Sequence, residues 1–211
     1  MKQSVTIIEN ASGEPIAAEM YDEVTLDDFL ETQREWRPFV SKAAIALVRQ
    51  GSTELIPQHL HWDWTSKAAQ LDLLATSFIG LRIGTQLQGI MKLQLVGDFC
   101  RARLREQKGK LLVYVDYLEV APWNLRPLMT SLGRDPRYNG IGSRLIRYAV
   151  ERSVEEDFAG RIGLHSLPLS EPFYVGACGM TAVGRDPSKQ NLLWCEYTPQ
   201  QASDFITGVR S

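Results

Sequence analysis

Apolar residues in the first part of the chain recur at helical spacing. Leu26, Phe29 and Leu30 begin a stripe whose spacing predicts one buried face of an α-helix. Pro38 has no backbone N–H, so it must kink or restart this helix. A second helix is predicted to end at Gly51. The first 75 residues are therefore expected to form a mainly helical N-terminal part.

The rest of the chain combines β-like runs with one long amphipathic helix. The runs rich in Val, Ile, Leu and aromatic residues are 77–83, 87–95, 111–120, 161–167, 180–183 and 192–197, with a short one at 5–8. A helix is predicted over 141–155, where the apolar residues share one face. Because this helix lies between two runs, those two strands should be parallel. Residues 77–197 are therefore expected to form the core sheet of an α+β fold.

Composition and charge narrow the class of protein. The chain has 211 residues, of which 44% are hydrophobic, and no repeat or linker divides it, so we predict a single domain over 1–211. Its 23 basic and 25 acidic residues give a formal net charge of −2. Such a balance provides no global attraction to nucleic acid or to an anionic membrane. The basic run from Arg101 to Lys110 is expected to be a solvated loop.

The cysteines and the N-terminus indicate a cytoplasmic protein. Cys100, Cys178 and Cys195 are widely spaced and include no C-x-x-C pair, so neither a disulfide framework nor a zinc site is expected. Residues 1–10 lack the features of a signal peptide. No apolar stretch approaches the ~20 residues that span a bilayer. We therefore expect reduced thiols and no membrane partner.

A glycine-containing motif precedes the helix predicted over 141–155. It consists of Arg137, Tyr138, Asn139, Gly140, Ile141, Gly142 and Ser143. Glycines allow a tight turn, and the first amides of a helix have no intrahelical partner, so this motif can bind a diphosphate. A Rossmann fingerprint would need a glycine where Leu145 stands, and a P-loop would need Gly-Lys-Ser or Gly-Lys-Thr. A plain connecting turn is the alternative interpretation.

Four pieces of sequence, in this order, carry a resemblance to a known family. They are Tyr117 to Pro122, Arg137 to Gly142, Arg161 to Leu167, and Phe173-Tyr174 followed by Cys178-Gly179-Met180. With this combination, over about 111–184, the chain resembles the GNAT superfamily of coenzyme A-dependent N-acetyltransferases. The resemblance implies a mixed, mostly antiparallel sheet with a central parallel pair and helices on both faces.

The resemblance also implies an activity and a cofactor. Acetyl-CoA would bind with its diphosphate on the 137–143 motif, and Val120 would contact it through the backbone near the thioester. Tyr174 aligns with the family's usual tyrosine and would protonate the leaving thiolate; a half-buried core tyrosine is the alternative. The expected reaction is acetyl transfer to a primary amine by direct attack in a ternary complex.

An attacking amine must first lose a proton. For an amine of pKa ~10.4, deprotonation at pH 7 costs about 4.6 kcal/mol, so a carboxylate or a water chain should accept that proton. Glu119 and Asp116 lie on the same predicted strand but on opposite faces, because strand side chains alternate. We choose Glu119 as the candidate base. A solvated or salt-bridged carboxylate is the alternative.

An aromatic cluster supplies candidates for substrate binding. Trp62, Asp63 and Trp64 could surround an amine, since aromatic faces and a carboxylate both favour a cation; core plus surface is the alternative. His59 and His61 stand at strand spacing with no third ligand, so no metal site is expected. In the second parallel strand, we expect a hydrogen-bonded core histidine at position 165.

Two departures from the family pattern concern the site. Fourteen residues, 123–136, separate the strand from the glycine motif, where the family has a shorter connection. They predict an extra loop that covers the cofactor or the substrate. Leu167 stands where many members carry an asparagine that contacts the cofactor.

Other functions and partners stay open at this point. The acceptor could be a small-molecule amine or a peptide amine, and the sequence does not decide between a monomer and a homodimer. A non-catalytic acyl-CoA-binding or protein-interaction module would use the same fold. A toxin-like acetyltransferase acting on aminoacyl-tRNA is a third candidate, against which the net charge of −2 argues mildly.

Overall fold

Nine strands form one mixed sheet in a computed structural model that describes residues 2–208. The strands are β1 Lys2–Glu9, β2 Pro15–Tyr21, β3 Thr76–Ile83, β4 Gln86–Gln94, β5 Val113–Val120, β6 Tyr138–Asn139, β7 Ile162–Ser166, β8 Thr181–Asp186 and β9 Leu192–Glu196. Their order in the sheet is β6-β1-β2-β3-β4-β5-β7-β9-β8. β5 and β7 are parallel and the other pairs are antiparallel. The predicted α+β class with a central parallel pair is confirmed.

Helices connect these strands. The α-helices of the described chain are α1 Leu26–Glu31, α2 Arg37–Arg49, α3 Arg126–Ser131, α4 Ile141–Glu155 and α5 Pro199–Thr207, with two π-helical turns at Thr32–Trp36 and Pro172–Ala177. The elements predicted from the sequence did not include β2, β6, α3 and α5. None of the helices between residues 2 and 208 has both the length and the apolar character needed to cross a bilayer.

The described residues divide into two compact units. The first comprises 2–73, 78–91 and 118–144, and the second comprises 74–77, 92–117 and 145–208. The interpretation of 1–211 as one domain stays a prediction. Every candidate site residue from the sequence lies in the first unit except Tyr174, which lies in the second.

A π-helical turn joins α1 to α2 in the first unit. The Arg37 N–H donates to the carbonyl of Thr32, five residues earlier, which is the bonding of a π-turn. Pro38 follows at the start of α2, and because it has no N–H it cannot donate to a carbonyl of the turn before it. Where a kink or a restart was predicted at Pro38, the helical segment instead continues without a break through one widened turn, Thr32–Trp36.

Aromatic side chains form the core of the first unit. The ring of Phe29 lies 5.3 Å from that of Phe78 and 6.0 Å from that of Trp64, measured between centroids. Trp36 packs edge-to-face on Trp123 at 6.5 Å. All five are buried. Since large aromatic side chains dominate core energetics, this cluster fixes the helices of the first unit against its strands.

The segment 123–136 belongs to this core. It contains α3, and Leu128 of that helix is fully buried in a cluster with residues of α2, namely Val40, Ala43 and Leu47. The Gln50 side chain also donates to the carbonyl of Ser131 at 2.9 Å. The segment 123–136 therefore contains a packed helix, α3. The prediction from the sequence was a loop.

In the second unit the parallel strands pair over a short length. The register of β5 with β7 runs from Val113 opposite Ile162 to Val115 opposite Leu164. The apolar face of α4 supports the second unit with fully buried residues Leu145, Ile146, Ala149 and Val150.

His165 lies in a buried polar network of the second unit. Its Nδ1 is 3.0 Å from the hydroxyl of Tyr114, and its Nε2 is 3.0 Å from Oδ2 of Asp186. The predicted hydrogen-bonded core histidine is confirmed. Arg103 donates to Asp186 at 2.7 Å and stacks on Trp194 at 4.1 Å. The basic run is thus not wholly a solvated loop, because Arg103 is tied into this network.

Candidate active site

The glycine motif forms the N-terminus of α4. Gly140 has a φ of +91°, a left-handed conformation that other residues seldom adopt, and it allows the chain to turn into the helix. The first helical bond runs from the Arg144 N–H to the Gly140 carbonyl. The amides of Ile141, Gly142 and Ser143 therefore lie in the first turn, where a helix has no carbonyl to offer them.

The first residues of the motif have other partners. The Arg137 N–H donates to the carbonyl of Trp123 at 3.0 Å, and the Tyr138 N–H donates to Oδ1 of Asn124 at 3.2 Å. Tyr138 and Asn139 also form β6, which pairs with β1. The amides of Arg137 and Tyr138 are thus already hydrogen-bonded. The candidate donors at the start of α4 are therefore the amides of its first turn. The exposed Arg137 guanidinium lies 5.1 Å from the Trp123 ring.

Glu119 is a buried carboxylate near the end of β5. Its side chain is 11% exposed, and its Oε2 accepts a hydrogen bond from Trp64 Nε1 at 2.6 Å. Burial raises the pKa of Glu119 to about 7, against the opposing effects of the Trp64 hydrogen bond and of the positive charges of Arg37 and Lys67. A carboxylate with that pKa can accept a proton near neutral pH.

Glu119 faces a small cavity with aromatic walls. The cavity measures about 10 Å³, room for about one water molecule. Its lining consists of Thr32, Trp36, Arg37, Val40, Leu60, Trp62, Trp64 and Glu119. The structure thus brings Trp62 and Trp64 together with the candidate base. The site residues predicted from the sequence did not include Thr32, Trp36 and Arg37. The only sequence signal near them was the kink or restart predicted at Pro38.

Asp63 has a different position from its two neighbours. Its Oδ1 accepts hydrogen bonds from the Thr65 hydroxyl at 2.6 Å, the Thr65 N–H at 2.9 Å and the Gln33 side chain at 2.7 Å. These bonds, the Thr65 hydroxyl first, lower the pKa of Asp63. Asp63 is not part of the cavity lining. Its carboxylate holds the local turn of the chain, while Trp62 and Trp64 line the cavity.

His59 lies beside the carboxylate. Its Nε2 is 3.8 Å from Oε1 of Glu119. Burial, together with the charge of Arg37, lowers the pKa of His59 to about 4, so the imidazole is neutral at pH 7. A neutral ring near Glu119 leaves the carboxylate without a cationic partner at that distance, which is consistent with its raised pKa.

Val120 lies in the first unit and Tyr174 in the second. Val120 is half-buried and is the last residue of β5. Tyr174 is buried in the π-helical turn Pro172–Ala177. Burial raises the pKa of the Tyr174 hydroxyl. A phenol is already protonated at neutral pH at its ordinary pKa of about 10, and burial makes it a weaker acid.

Comparison with solved structures identifies the fold. PaiA N-acetyltransferase from Thermoplasma acidophilum, solved with coenzyme A, superposes with a TM-score of 0.54 at 10% identity over 87% of this chain and 99% of that chain. A GNAT-family acetyltransferase from Listeria monocytogenes gives 0.53 at 14% identity over 92% and 99% of the two chains. The GNAT domain of S. lividans PAT gives 0.53 at 14% identity over 93% and 96%.

These similarities establish the fold of the chain. No protein-family model and no curated protein sequence matches it. At 10–14% identity the structural likeness shows a GNAT fold, as the sequence motifs had indicated.

Proposed function

We propose that this protein is an N-acetyltransferase that moves the acetyl group of acetyl-CoA to a primary amine, with Glu119 as the general base. The observation that carries the proposal is the buried Glu119 carboxylate, whose pKa is raised to about 7 and which faces a cavity. Buried carboxylates with raised pKa values are typical of catalytic bases. The GNAT fold supports the same assignment.

The start of α4 fits the diphosphate of coenzyme A. The amides of Ile141, Gly142 and Ser143 belong to the first helical turn, and Gly140 adds no side chain that would obstruct an approaching anion. The positive end of the helix dipole adds to this attraction. In this proposal the Arg137 and Tyr138 side chains and Asn139 flank the diphosphate, and the Val120 backbone contacts the pantetheine arm. Bound acetyl-CoA supplies the thioester that acetylates the amine.

Proton transfers are assigned to two side chains. Glu119 would accept one proton from the bound ammonium and pass it to solvent, and the nitrogen lone pair would then form the bond to the acetyl carbon. Glu119 would accept the second proton that the nitrogen then carries, while Tyr174 would give a proton to the sulfur as the carbon–sulfur bond breaks. Exchange with solvent would return both side chains to their starting protonation, so the products are the N-acetyl amine and the free thiol. The assignment of Tyr174 follows from its alignment with the family tyrosine.

Coenzyme A binding tests the cofactor site directly. Coenzyme A at one hundred times its dissociation constant should stabilise the fold by about 2.7 kcal/mol. For a chain of this size that is a rise in Tm of roughly 5–11 °C. In Gly142→Val the added side chain crowds the first turn of α4, so the shift should disappear.

Two controls separate the site from the fold. Glu155→Val adds a β-branched residue at the exposed far end of α4, and it should keep the full shift. The unliganded Gly142→Val protein should still unfold cooperatively. A normal shift in Gly142→Val would remove the glycine motif from the proposal. Coenzyme A binding without turnover of any amine would favour a non-catalytic acyl-CoA-binding module.

A further inference from the structure

The cavity beside Glu119 has charged groups of both signs in its lining. Glu119 contributes a carboxylate and Arg37 contributes a guanidinium, while Val40, Leu60 and Trp62 contribute apolar surface. Arg37 and Glu119 do not form an ion pair with each other, although the charge of Arg37 lowers the pKa of Glu119. A ligand in this cavity would therefore lie near a negative group, Glu119, and a positive group, Arg37, that are not paired with each other.

The charge of Arg37 acts on Glu119 and on His59. Over residues 2–208 its half-buried guanidinium makes no hydrogen bond and no ion pair. A guanidinium presents its N–H groups in a fixed fork that matches the two oxygens of a carboxylate. Arg37 is thus a ready binding group for a carboxylate.

Trp36 adds a second donor next to Arg37 in sequence. Its side chain is 1% exposed, and its Nε1 has no hydrogen-bond partner in the described part of the chain. Buried polar groups are almost always hydrogen-bonded, so such an N–H is a strong candidate for contact with a ligand oxygen. Trp36 lines the same cavity as Arg37; it is the last residue of the π-turn, and Arg37 is the first residue of α2.

We infer that the acceptor is a free α-amino acid with an apolar side chain. This inference rests on the proposed function and specifies the acceptor of the same site. The amine lies toward Glu119, which removes its proton, while the carboxylate binds Arg37 and the Trp36 N–H. Val40, Leu60 and Trp62 contact the apolar side chain. The carboxylate takes no part in bond making, so the products are the N-acetyl amino acid and coenzyme A.

The same lining disfavours other amines. A polyamine would place a second cation near Arg37, which costs energy because like charges repel. A peptide N-terminus has an amide where the amino acid has its carboxylate, and it would leave the guanidinium without an anion. The cavity of about 10 Å³ holds about one water molecule, so its lining must open when an acceptor binds, which favours a small acceptor.

A binding experiment tests this assignment apart from turnover. L-Leucine, L-leucinamide and 3-methylbutylamine, which share one side chain, are titrated calorimetrically into protein saturated with coenzyme A. We expect leucine to bind at least roughly tenfold more tightly than the other two, because a guanidinium–carboxylate contact is lost with each of them. Arg37→Gln should weaken leucine binding by roughly tenfold or more and should change 3-methylbutylamine binding by less than about threefold.

Arg34→Gln is the matched control. Arg34 is an exposed arginine of the π-turn and is not in the cavity lining, so this variant should bind leucine like the parent protein. Equal affinity for leucine and 3-methylbutylamine, or an equal loss of both in Arg37→Gln, would overturn the inference. If coenzyme A itself fails to stabilise the parent protein, the proposed function fails instead. The two failures are therefore distinguishable.

Discussion

The indole Nε1 of Trp64 donates a hydrogen bond to Oε2 of Glu119 across 2.6 Å. Trp64 is buried in the aromatic core with Phe29, so its ring cannot turn away from the carboxylate. Burial destabilises the ionised form of Glu119 and the indole N–H stabilises it. Burial is the larger effect, and the pKa of Glu119 is raised to about 7.

Trp64→Phe should raise the pKa of Glu119 further. The variant keeps an aromatic ring but removes the donor, and a hydrogen bond to a charged group is worth enough to move the acid limb of kcat/KM by roughly one pH unit upward. The measurement is a pH–rate profile of acetyl transfer. Trp123→Phe is the control, since it removes a buried indole whose N–H donates to Gln88 instead. An unmoved acid limb in Trp64→Phe would show that Glu119 does not set that limb.

Glu119→Gln should lose most of its turnover. Removing a general base typically lowers the rate by about 10²–10⁴-fold. The rate that remains should not fall below pH 7 as the parent's does, because the titrating carboxyl is absent. The coenzyme A-induced rise in Tm should be unchanged in this variant. Parental turnover in Glu119→Gln would assign the base to another group or to a water chain.

Glu119 should also make the fold less stable as pH rises. The folded-state pKa of about 7 lies above the usual value of 4.5, so between these values the folded state holds a proton that the unfolded chain releases. Stability therefore falls as pH rises through this interval and levels off above pH 7. Glu119→Gln lacks this effect. The urea midpoint of the variant, relative to that of the parent protein, should therefore rise between pH 5 and pH 8. A constant difference across that range would contradict the raised pKa.

Tyr174→Phe should reduce turnover more than cofactor affinity. The substitution removes a single hydroxyl, whose pKa is raised by burial. Proton donation to the leaving sulfur would be lost while the ring keeps its packing. Steady-state kinetics and coenzyme A titration give the two quantities. Tyr148→Phe, at a half-buried tyrosine of α4, is the control, and equal losses in the two variants would exclude Tyr174 as the acid.

Leu128→Ala should be strongly destabilising. Leu128 is fully buried between α3 and α2, and truncating such a side chain costs about 2–5 kcal/mol. Urea denaturation measures the loss. Leu74 is fully exposed, so Leu74→Ala should change the stability by less than about 0.5 kcal/mol. A small effect in Leu128→Ala would mean that the 123–136 segment is not part of the core.

Local patterns in the sequence predicted the elements whose signal is local. The helix expected over 141–155 is α4 Ile141–Glu155, because its apolar stripe and its glycine start are both written in neighbouring residues. β2 was missed because Pro15, Ala17 and Ala18 are weak strand formers. That strand exists through its pairing with β1 and β3. The two residues of β6 likewise depend on β1 alone.

The candidate site was predicted in part for the same reason. Glu119 and the tryptophans near position 63 stood out by residue type and strand position. Arg37 and Trp36 could not be placed beside them, because a π-turn adds one residue to the helical repeat and no 3.6-residue pattern registers it. The partners of the Arg137 and Tyr138 amides, Trp123 and Asn124, are also set by tertiary structure.

The π-turn Thr32–Trp36 contains one residue more than an α-helical turn would. This residue sets the rotation of α2 relative to α1 about their common axis. Deleting one residue there would remove the widened turn, and the two halves would rotate by about 100° relative to each other around the common axis. The side that buries Phe29 and the side that buries Leu47 could not then both face inward. A natural variant that loses this residue should therefore also have rebuilt the inward surface of one half.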